Sequence, residues 1–132
     1  MRKVSLLALV WVLIAAILPA RALDAPLPMD EAFVPAIARQ DDGRLVITWR
    51  IADGYYLYRD FLAAEDEGKQ PIALQTDPGT VKDDPGFGTT EVYYRNASAW
   101  VAEAPQTVRL TYQGCQDGGL CYPPTTRTID TA

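Results

Sequence analysis

The chain contains two cysteines, Cys115 and Cys121, and a pair of thiols can carry out thiol–disulfide exchange. A fully extended chain would separate their Cα atoms by about 20 Å, whereas a disulfide requires roughly 4.4–6.8 Å. The chain must therefore reverse between them. The intervening Asp117-Gly118-Gly119 favours such a turn, because glycine adopts positive φ at little cost. The spacing predicts a cross-link near the tip of a β-hairpin.

The composition excludes several other kinds of chemistry. The chain has no histidine, so it lacks the Cys–His and Ser–His–Asp arrangements of nucleophilic catalysis. A tetrahedral zinc site normally takes four Cys or His ligands, and this chain has two. We therefore expect no metal site. We also expect no cofactor, because two thiols exchange disulfides unaided.

A disulfide in this position is either a structural cross-link or a working redox couple. Closing the loop from Cys115 to Cys121 is worth roughly 2.4 kcal/mol in chain entropy, against a total stability of about 5–15 kcal/mol. A domain of this size would survive that loss, which only weakly favours a bond that opens and closes. Pro123-Pro124 confines its segment to a sheet edge or an irregular rim, and at an edge a partner can reach a sulfur. Both interpretations stay open at this point.

Aromatic residues elsewhere in the chain also have two interpretations. Tyr55, Tyr56 and Tyr58 lie close together, and Phe87 lies in a glycine-rich loop. They form either an aromatic cover over the cysteine pair or ordinary core and surface packing.

The first 22 residues have the pattern of a secretory signal peptide. A basic start, Arg2-Lys3, precedes an apolar run over residues 4–18, and Ala20-Arg21-Ala22 supplies the small residues that a signal peptidase reads. The alternative is a membrane anchor that stays attached, but a spanning helix requires roughly 20 apolar residues, and the run here is shorter. We therefore expect cleavage after residue 22, one mature domain over residues 23–132, and a location outside the cytoplasm, where disulfides persist.

The expected mature domain is acidic. Of the 12 basic residues three lie in the leader, which leaves nine against 17 acidic residues and a net charge of −8. Such a surface argues against nucleic acid and anionic membranes as partners. About 110 residues make one domain with its own core. Because no second long apolar segment follows, we expect the mature protein to be soluble.

Period-two alternation of apolar residues predicts an all-β domain. Residues 45–51 show it most clearly, with Leu45, Ile47, Trp49 and Ile51 on one face. Residues 63–69 are expected to form a charged loop rather than one helical turn, and no segment has a sustained helical period. Many short strands with regular turns predict an immunoglobulin-like antiparallel β-sandwich, with the cysteine hairpin at one edge. The strands are predicted at 33–38, 45–51, 55–58, 72–76, 90–94, 98–102, 107–112 and 125–129.

Three segments of the chain also carry a family resemblance. Residues 114–124 read Gly-Cys-Gln-Asp-Gly-Gly-Leu-Cys-Tyr-Pro-Pro, and residues 53–59 read Asp-Gly-Tyr-Tyr-Leu-Tyr-Arg. Phe87-Gly88 is followed by Glu91-Val92-Tyr93. In this order, over essentially the whole mature chain, they resemble the N-terminal periplasmic domain of the thiol:disulfide interchange protein DsbD.

The resemblance implies a protein-disulfide reductase of the periplasm that acts as an electron relay. A membrane-embedded partner would reduce the disulfide. The dithiol would then reduce thioredoxin-fold periplasmic proteins, including a disulfide isomerase and a cytochrome c maturation thioredoxin. Cys121 would form the mixed disulfide with the partner, and Cys115 would resolve it.

The resemblance further implies that the sulfurs are shielded, which would protect a dithiol from wrong acceptors in an oxidising compartment. A cap loop around residues 83–88 would cover them until a partner displaces it, and Tyr56 and Tyr58 would flank them. Proton handling would fall to water or to a carboxylate such as Asp84. The cap residues are Asp84, Phe87 and Gly88, and the supporting hairpin residues are Asp117, Gly118, Tyr122 and Pro123.

The chain departs from the family pattern in the cap loop. Many relatives carry two aromatic residues before the glycine, but here Gly86 takes the first position and Phe87 stands alone. We therefore expect a less complete or differently hinged cap. Two other functions stay open: a secreted immunoglobulin-like binding module with a purely structural disulfide, and a scaffold or chaperone domain that binds through a strand edge. The chain is either stand-alone or a fragment of a longer membrane protein.

Overall fold

The computed structural model describes residues 23–132, and the predicted signal peptide at residues 1–22 lies outside that part of the chain. The described residues form a one-turn helix, α1 (Met29–Ala32), a 3₁₀ helix (Arg59–Phe61) and a series of short strands. The strands are β1 (Phe33–Arg39), β2 (Leu45–Ile51), β3 (Tyr55–Tyr58), β4 (Ala63–Glu65), β5 (Pro71–Ile72), β6 (Gln75–Thr76), β7 (Thr80–Asp84), β8 (Gly88–Tyr93), β9 (Asn96–Val101), β10 (Thr107–Tyr112), β11 (Gly114–Gln116) and β12 (Thr125–Asp130).

The strands of residues 23–132 form three antiparallel sheets of four strands each. Their strand orders are β1-β2-β9-β6, β12-β10-β4-β5 and β11-β3-β8-β7. The predicted all-β antiparallel fold is thereby confirmed. The third sheet carries the cysteines, since β11 is its edge strand and Cys115 forms an isolated bridge with Cys121. The hairpin therefore lies at a sheet edge, as expected.

The core is built from the inward faces of alternating strands. In β2, Leu45, Ile47, Trp49 and Ile51 are buried, whereas Thr48 and Arg50 are exposed. β10 supplies buried residues of the same period, and its Tyr112 ring meets the Trp49 ring edge-on at 5.9 Å. Burying each large apolar side chain contributes about 1.5–3 kcal/mol. This core supports the sheets that carry the cysteine hairpin.

Two local predictions were wrong, and one short helix was missed. Residues 63–69 do not form only a loop, because Ala64 is buried and β4 pairs with β10 before the turn that follows. Residues 72–76 do not form one strand, since β5 pairs with β4 while β6 pairs with β9 in a different sheet. The turn of α1 was not predicted, because four residues are too few to show a 3.6-residue period. Long-range pairing decided the first two segments.

The cap loop of residues 83–88 is the tip of a hairpin. β7 and β8 pair along their length, from Thr80 opposite Val92 to Asp84 opposite Gly88. β8 in turn pairs with β3, which carries the tyrosines. The cap loop therefore connects two strands of the sheet that contains Cys115. Over residues 23–132, no helix has both the length and the apolar character needed to cross a membrane.

Candidate redox site

Cys115 and Cys121 are joined by a disulfide, with their Cα atoms 4.0 Å apart. Cys115 is fully buried in β11, where it stands opposite Tyr56 of β3. Cys121 follows the turn and is exposed. One sulfur of the bond is thus enclosed by the sheet, and the other belongs to a residue that solvent reaches.

The turn between the cysteines is held by backbone hydrogen bonds. Gln116 N–H donates to the Leu120 carbonyl at 2.7 Å, and Gly119 N–H donates to the Gln116 carbonyl at 2.9 Å. Gly118 has φ of 74°, a left-handed conformation that favours glycine. Asp117 N–H donates to the Gly54 carbonyl at 2.7 Å, which ties the turn to the loop before β3. The reversal expected from the sequence is present.

The alternation of β3 sends its tyrosines to opposite faces of the sheet. Tyr56 and Tyr58 pack in a small cluster with Cys115. The Tyr58 hydroxyl lies 3.0 Å from Cys115 Sγ and 3.8 Å from Cys121 Sγ. Tyr55 points into the main core instead, where its ring contacts Phe33. The aromatic neighbours of the sulfurs are therefore two of the three tyrosines, and Tyr55 is an ordinary core residue.

Asp84 is the buried polar centre of the site. Its Oδ2 accepts hydrogen bonds from Tyr56 Oη at 2.5 Å and Tyr58 Oη at 2.7 Å. Its Oδ1 accepts from the backbone N–H groups of Gly86 and Phe87 at 2.8 and 3.0 Å. One carboxylate thus closes the cap loop and orients the two hydroxyls beside the disulfide.

The same contacts shift the pKa values of the cluster. Burial alone would raise the pKa of Asp84, but the hydrogen bonds donated by the tyrosine hydroxyls and the cap-loop N–H groups lower it to about 2. Burial, followed by the hydrogen bond to Asp84, raises the pKa of Tyr58 to about 12. The pKa of Tyr56 is raised for the same two reasons. At neutral pH the cluster is one carboxylate bound by two neutral phenols.

The cap loop reaches the site through a single aromatic ring. Phe87 meets Tyr58 edge-on at 5.0 Å and lies 4.9 Å from Phe61. It nevertheless stays 49 % exposed. Gly88, the next residue, has φ of 72°, which lets the chain enter β8. Phe87 therefore covers Tyr58 without being buried itself.

Sequence reasoning assigned no role to three residues that contact the cluster or belong to the hairpin. Phe61, in the 3₁₀ helix, packs on both Tyr58 and Phe87. Lys82 of β7 lies 3.1 Å from Asp117 Oδ1 and 5.1 Å from the centre of the Tyr56 ring. Gly114 has no room for a side chain, because a Cβ would meet the Tyr56 carbonyl and the Phe33 ring. Of these three residues only Gly114 had a signal in the sequence, because it directly precedes a cysteine. Phe61 and Lys82 belong to no pattern of spacing that would indicate a role.

The remaining hairpin residues play different parts. Tyr122 is buried in the main core, where its ring meets Phe33 edge-on at 5.7 Å. Pro123 is exposed beside it. Within residues 23–132, no group of three or more Cys, Asp or Glu side chains is arranged to hold a metal ion. The chemistry available at this site is that of the disulfide and its tyrosine–aspartate cluster.

A profile of the family described as thiol:disulfide interchange protein DsbD, N-terminal, matches residues 24–132. The chain belongs to this family. The resemblance identified from the three motifs is therefore confirmed, and the match covers the whole sheet structure described above.

Curated DsbD proteins show the same relationship. The chain is 40% identical over 111 residues to the thiol:disulfide interchange protein DsbD 1 of Pseudomonas aeruginosa, covering 79% of this chain and 19% of that protein. It is 37% identical over 115 residues to DsbD of Escherichia coli K12, covering 80% and 20%. The chain thus spans about a fifth of the length of these relatives.

Two solved DsbD structures from Neisseria meningitidis share the fold. The DsbD N-terminal domain in the reduced form matches with a TM-score of 0.71 and 35% identity, covering 80% of this chain and 89% of that one. A complex between the DsbD N-terminal and PilB N-terminal domains matches with a TM-score of 0.67 and 34% identity, covering 81% and 88%. Membership of the DsbD N-terminal family, together with a disulfide at the sheet edge, connects this chain with thiol–disulfide interchange.

Proposed function

We propose that the protein is a protein-disulfide reductase that relays electrons through the Cys115–Cys121 pair. The observation that carries this proposal is the unequal solvent exposure of the two cysteine residues. Cys121 is exposed and Cys115 is fully buried. A dithiol that exchanges with a partner needs one accessible thiol for the intermolecular step and a second thiol for the intramolecular step.

The proposed reaction has two exchange steps. In the reduced protein, the Cys121 thiolate attacks a disulfide sulfur of the partner and displaces the partner's first thiolate, so that a mixed disulfide forms. The Cys115 thiolate then attacks the Cys121 sulfur, re-forms the internal disulfide and displaces the partner's second thiolate. Two electrons pass to the partner, and the two protons released by the cysteines end on the partner's thiols through water.

The tyrosine–aspartate cluster positions the Cys115 thiol before the second step, in which this residue reacts as the thiolate. The single proton of the Tyr58 hydroxyl is donated to Asp84, since a carboxylate is the stronger acceptor. The Tyr58 oxygen is then free to accept from a Cys115 thiol, which lies 3.0 Å away in the oxidised form. A carboxyl group with a pKa of about 2 is a poor proton carrier near neutral pH. We therefore assign Asp84 an orienting role and leave proton transfer to water.

The partners of this chain are proposed to be other proteins. A related DsbD N-terminal domain has been solved in complex with the PilB N-terminal domain, which supports docking of a protein domain at this fold. We propose thioredoxin-fold periplasmic proteins as acceptors, among them a disulfide isomerase and a cytochrome c maturation thioredoxin. A membrane-embedded reductase is the proposed donor. The periplasm, reached through cleavage of a signal peptide after residue 22, is the proposed location.

Trapping the mixed disulfide tests this proposal. The reduced protein is mixed with an oxidised thioredoxin-fold isomerase, and transfer is followed by thiol labelling and mass spectrometry. We expect Cys115→Ala to accumulate a covalent complex through Cys121, while the matched variant Cys121→Ala accumulates none. Absence of both transfer and a trapped complex would contradict the relay. An internal disulfide with a potential below about −300 mV would instead support a structural cross-link in a binding module.

A further inference from the structure

The segment preceding α1, residues 23–28, lies against the redox hairpin, and we call it the N-terminal strap. The carbonyl of Asp24 accepts a hydrogen bond from Gln116 Nε2 at 2.8 Å. The carbonyl of Leu27 accepts one from the Tyr122 hydroxyl. The N–H of Leu27 donates to the Tyr55 hydroxyl at 2.7 Å. The strap is thus bound through its backbone by three side chains of the neighbouring strands and hairpin.

Two of these side chains come from opposite arms of the hairpin. Gln116 directly follows Cys115, and Tyr122 directly follows Cys121. Both are buried, Gln116 at 6 % and Tyr122 at 8 % exposure. The strap therefore connects the residue after one cysteine with the residue after the other. This connection does not pass through the sulfurs.

Neighbouring atoms show that the strap is closely fitted to the turn. A Cβ at Gly119 would collide with the Gln116 side chain and with Cδ2 of Leu23. The Oε1 atom of Gln116 has no hydrogen-bond partner in the described part of the chain. The bond from Nε2 to Asp24 is therefore the side-chain hydrogen bond that orients this buried amide within residues 23–132.

We propose that the N-terminal strap is a positioning element that keeps the two cysteines close together in the dithiol and mixed-disulfide states. Holding both arms raises the effective concentration of Cys115 at the Cys121 sulfur, because less conformational freedom is lost when the disulfide forms. The strap thereby makes the internal disulfide harder to reduce and shortens the life of the mixed disulfide. The inference deepens the proposed exchange function and rests on it.

The expected effect is limited, because backbone bonds also join the arms. Gln116 N–H donates to the Leu120 carbonyl, and Tyr122 N–H donates to the Gly114 carbonyl. A single hydrogen bond makes only a modest net contribution to stability. We therefore expect loss of a strap contact to change two quantities severalfold: the equilibrium constant for forming the internal disulfide and the rate at which the mixed disulfide is resolved. Backbone pairing already holds the arms near each other, and the strap adds to that effect.

Equilibration with glutathione tests the strap without any partner protein. Gln116→Met keeps the length of the side chain and removes the bond to Asp24, and Tyr122→Phe removes only the hydroxyl that binds Leu27. Each is expected to lower the equilibrium constant for forming the internal disulfide about threefold, and the double variant about tenfold. A tenfold change is about 30 mV for a two-electron couple, toward a less negative potential. Glutathione attached to Cys121 should accumulate to a correspondingly higher level, as read by mass spectrometry.

Tyr93→Phe is the matched control. It removes a tyrosine hydroxyl that donates to a backbone carbonyl, that of Asp77, at a similarly buried position away from the strap. Its potential should equal that of the unmodified protein. If Gln116→Met does not fold, the same test uses Tyr122→Phe and Tyr55→Phe. Each removes one hydroxyl that binds the Leu27 backbone, with little change of side-chain volume.

The possible outcomes separate this inference from the proposed function. Variants that lose thermal stability but keep the potential and the glutathione-adduct level of the Tyr93→Phe control would overturn the strap proposal, because a merely structural role predicts that pattern. An unmodified protein that equilibrates with glutathione but transfers nothing to a thioredoxin-fold partner would overturn the relay instead. In that case the shift in potential would still decide the role of the strap.

Discussion

Cys115 and Cys121 share one disulfide but occupy opposite environments, the first fully buried and the second exposed. The difference arises because β11 pairs Cys115 with Tyr56 on the edge of a sheet, whereas Cys121 lies beyond a four-residue turn. The two cysteines therefore have the same chemistry but differ in solvent exposure. This relationship underlies the proposed division of labour between them.

Single-cysteine variants should show this difference directly. In Cys115→Ala the remaining Cys121 is expected to react with iodoacetamide at least about tenfold faster than Cys115 does in Cys121→Ala, because an enclosed thiol is inaccessible to the reagent. Quantitative mass spectrometry measures both rates. The two variants should react equally in denaturant. Equal rates in the folded state would mean that the burial of Cys115 does not persist in solution.

Truncating the cap-loop aromatic should open the site with little effect on stability. Phe87→Ala removes the ring that packs on Tyr58 and Phe61, and such aromatic pairs are worth about 0.5–1.5 kcal/mol. We expect reduction of the disulfide by dithiothreitol to become about two- to fivefold faster. Val81→Ala is the control, because Val81 is 68 % exposed on the neighbouring strand β7. An unchanged reduction rate in Phe87→Ala would show that this ring does not limit access.

Replacing the buried carboxylate should alter the acid stability of the fold. The pKa of Asp84 is about 2 in the folded protein, below its ordinary value of 3.8, so its ionised form stabilises the native state. That contribution, about 2 kcal/mol, is present above pH 4 and is lost as the pH falls toward 2. Asp84→Asn should be less stable than the unmodified protein at pH 7, and the difference should shrink between pH 4 and pH 2. Urea unfolding at several pH values measures it, and a pH-independent difference would contradict the pKa shift.

Two glycines of the hairpin should respond differently to alanine. Gly114→Ala places a methyl group against the Tyr56 carbonyl and the Phe33 ring, and overpacking of this kind costs about 1–3 kcal/mol. Gly118→Ala meets open space but must keep φ of 74°, which costs about 1–2 kcal/mol. Thermal unfolding compares the two. The strain at Gly118 is confined to the turn, so Gly118→Ala should keep the equilibrium constant of the unmodified protein for disulfide exchange with glutathione. Gly114→Ala should change that constant, because its methyl group pushes against the strand beside Cys115.

Local patterns predicted the parts of the site that lie within one strand or one turn. The alternation of β3 separates Tyr56 and Tyr58 from Tyr55, and the Asp-Gly-Gly sequence predicts the reversal between the cysteines. Such patterns indicate which residues share a face, but not what packs against that face. For this reason the aromatic cover was an open question for Tyr55, which the structure places against Phe33 in the core.

The individual hydrogen bonds between distant segments had no signal in the sequence. Asp84 binds Tyr56 and Tyr58 across 28 and 26 residues, and Gln116 binds Asp24 across 92. Neither contact has a local signature, because the sequence shows that a residue is Asp or Gln but not whether its side chain faces solvent or binds a distant residue. Residues 63–69 show the same limit, since their charges suggested a loop while pairing with β10 made part of them a strand.

By itself the sequence determined that this is an all-β domain with a cysteine pair on a hairpin, because strand periodicity, turn residues and cysteine spacing are local properties. Three motifs in order were enough to indicate the family. Only the tertiary structure decided which cysteine residue is exposed, which carboxylate holds the tyrosines and what binds the two arms of the hairpin. Those properties depend on how separate strands and the N-terminal strap pack together, and burial is created by that packing.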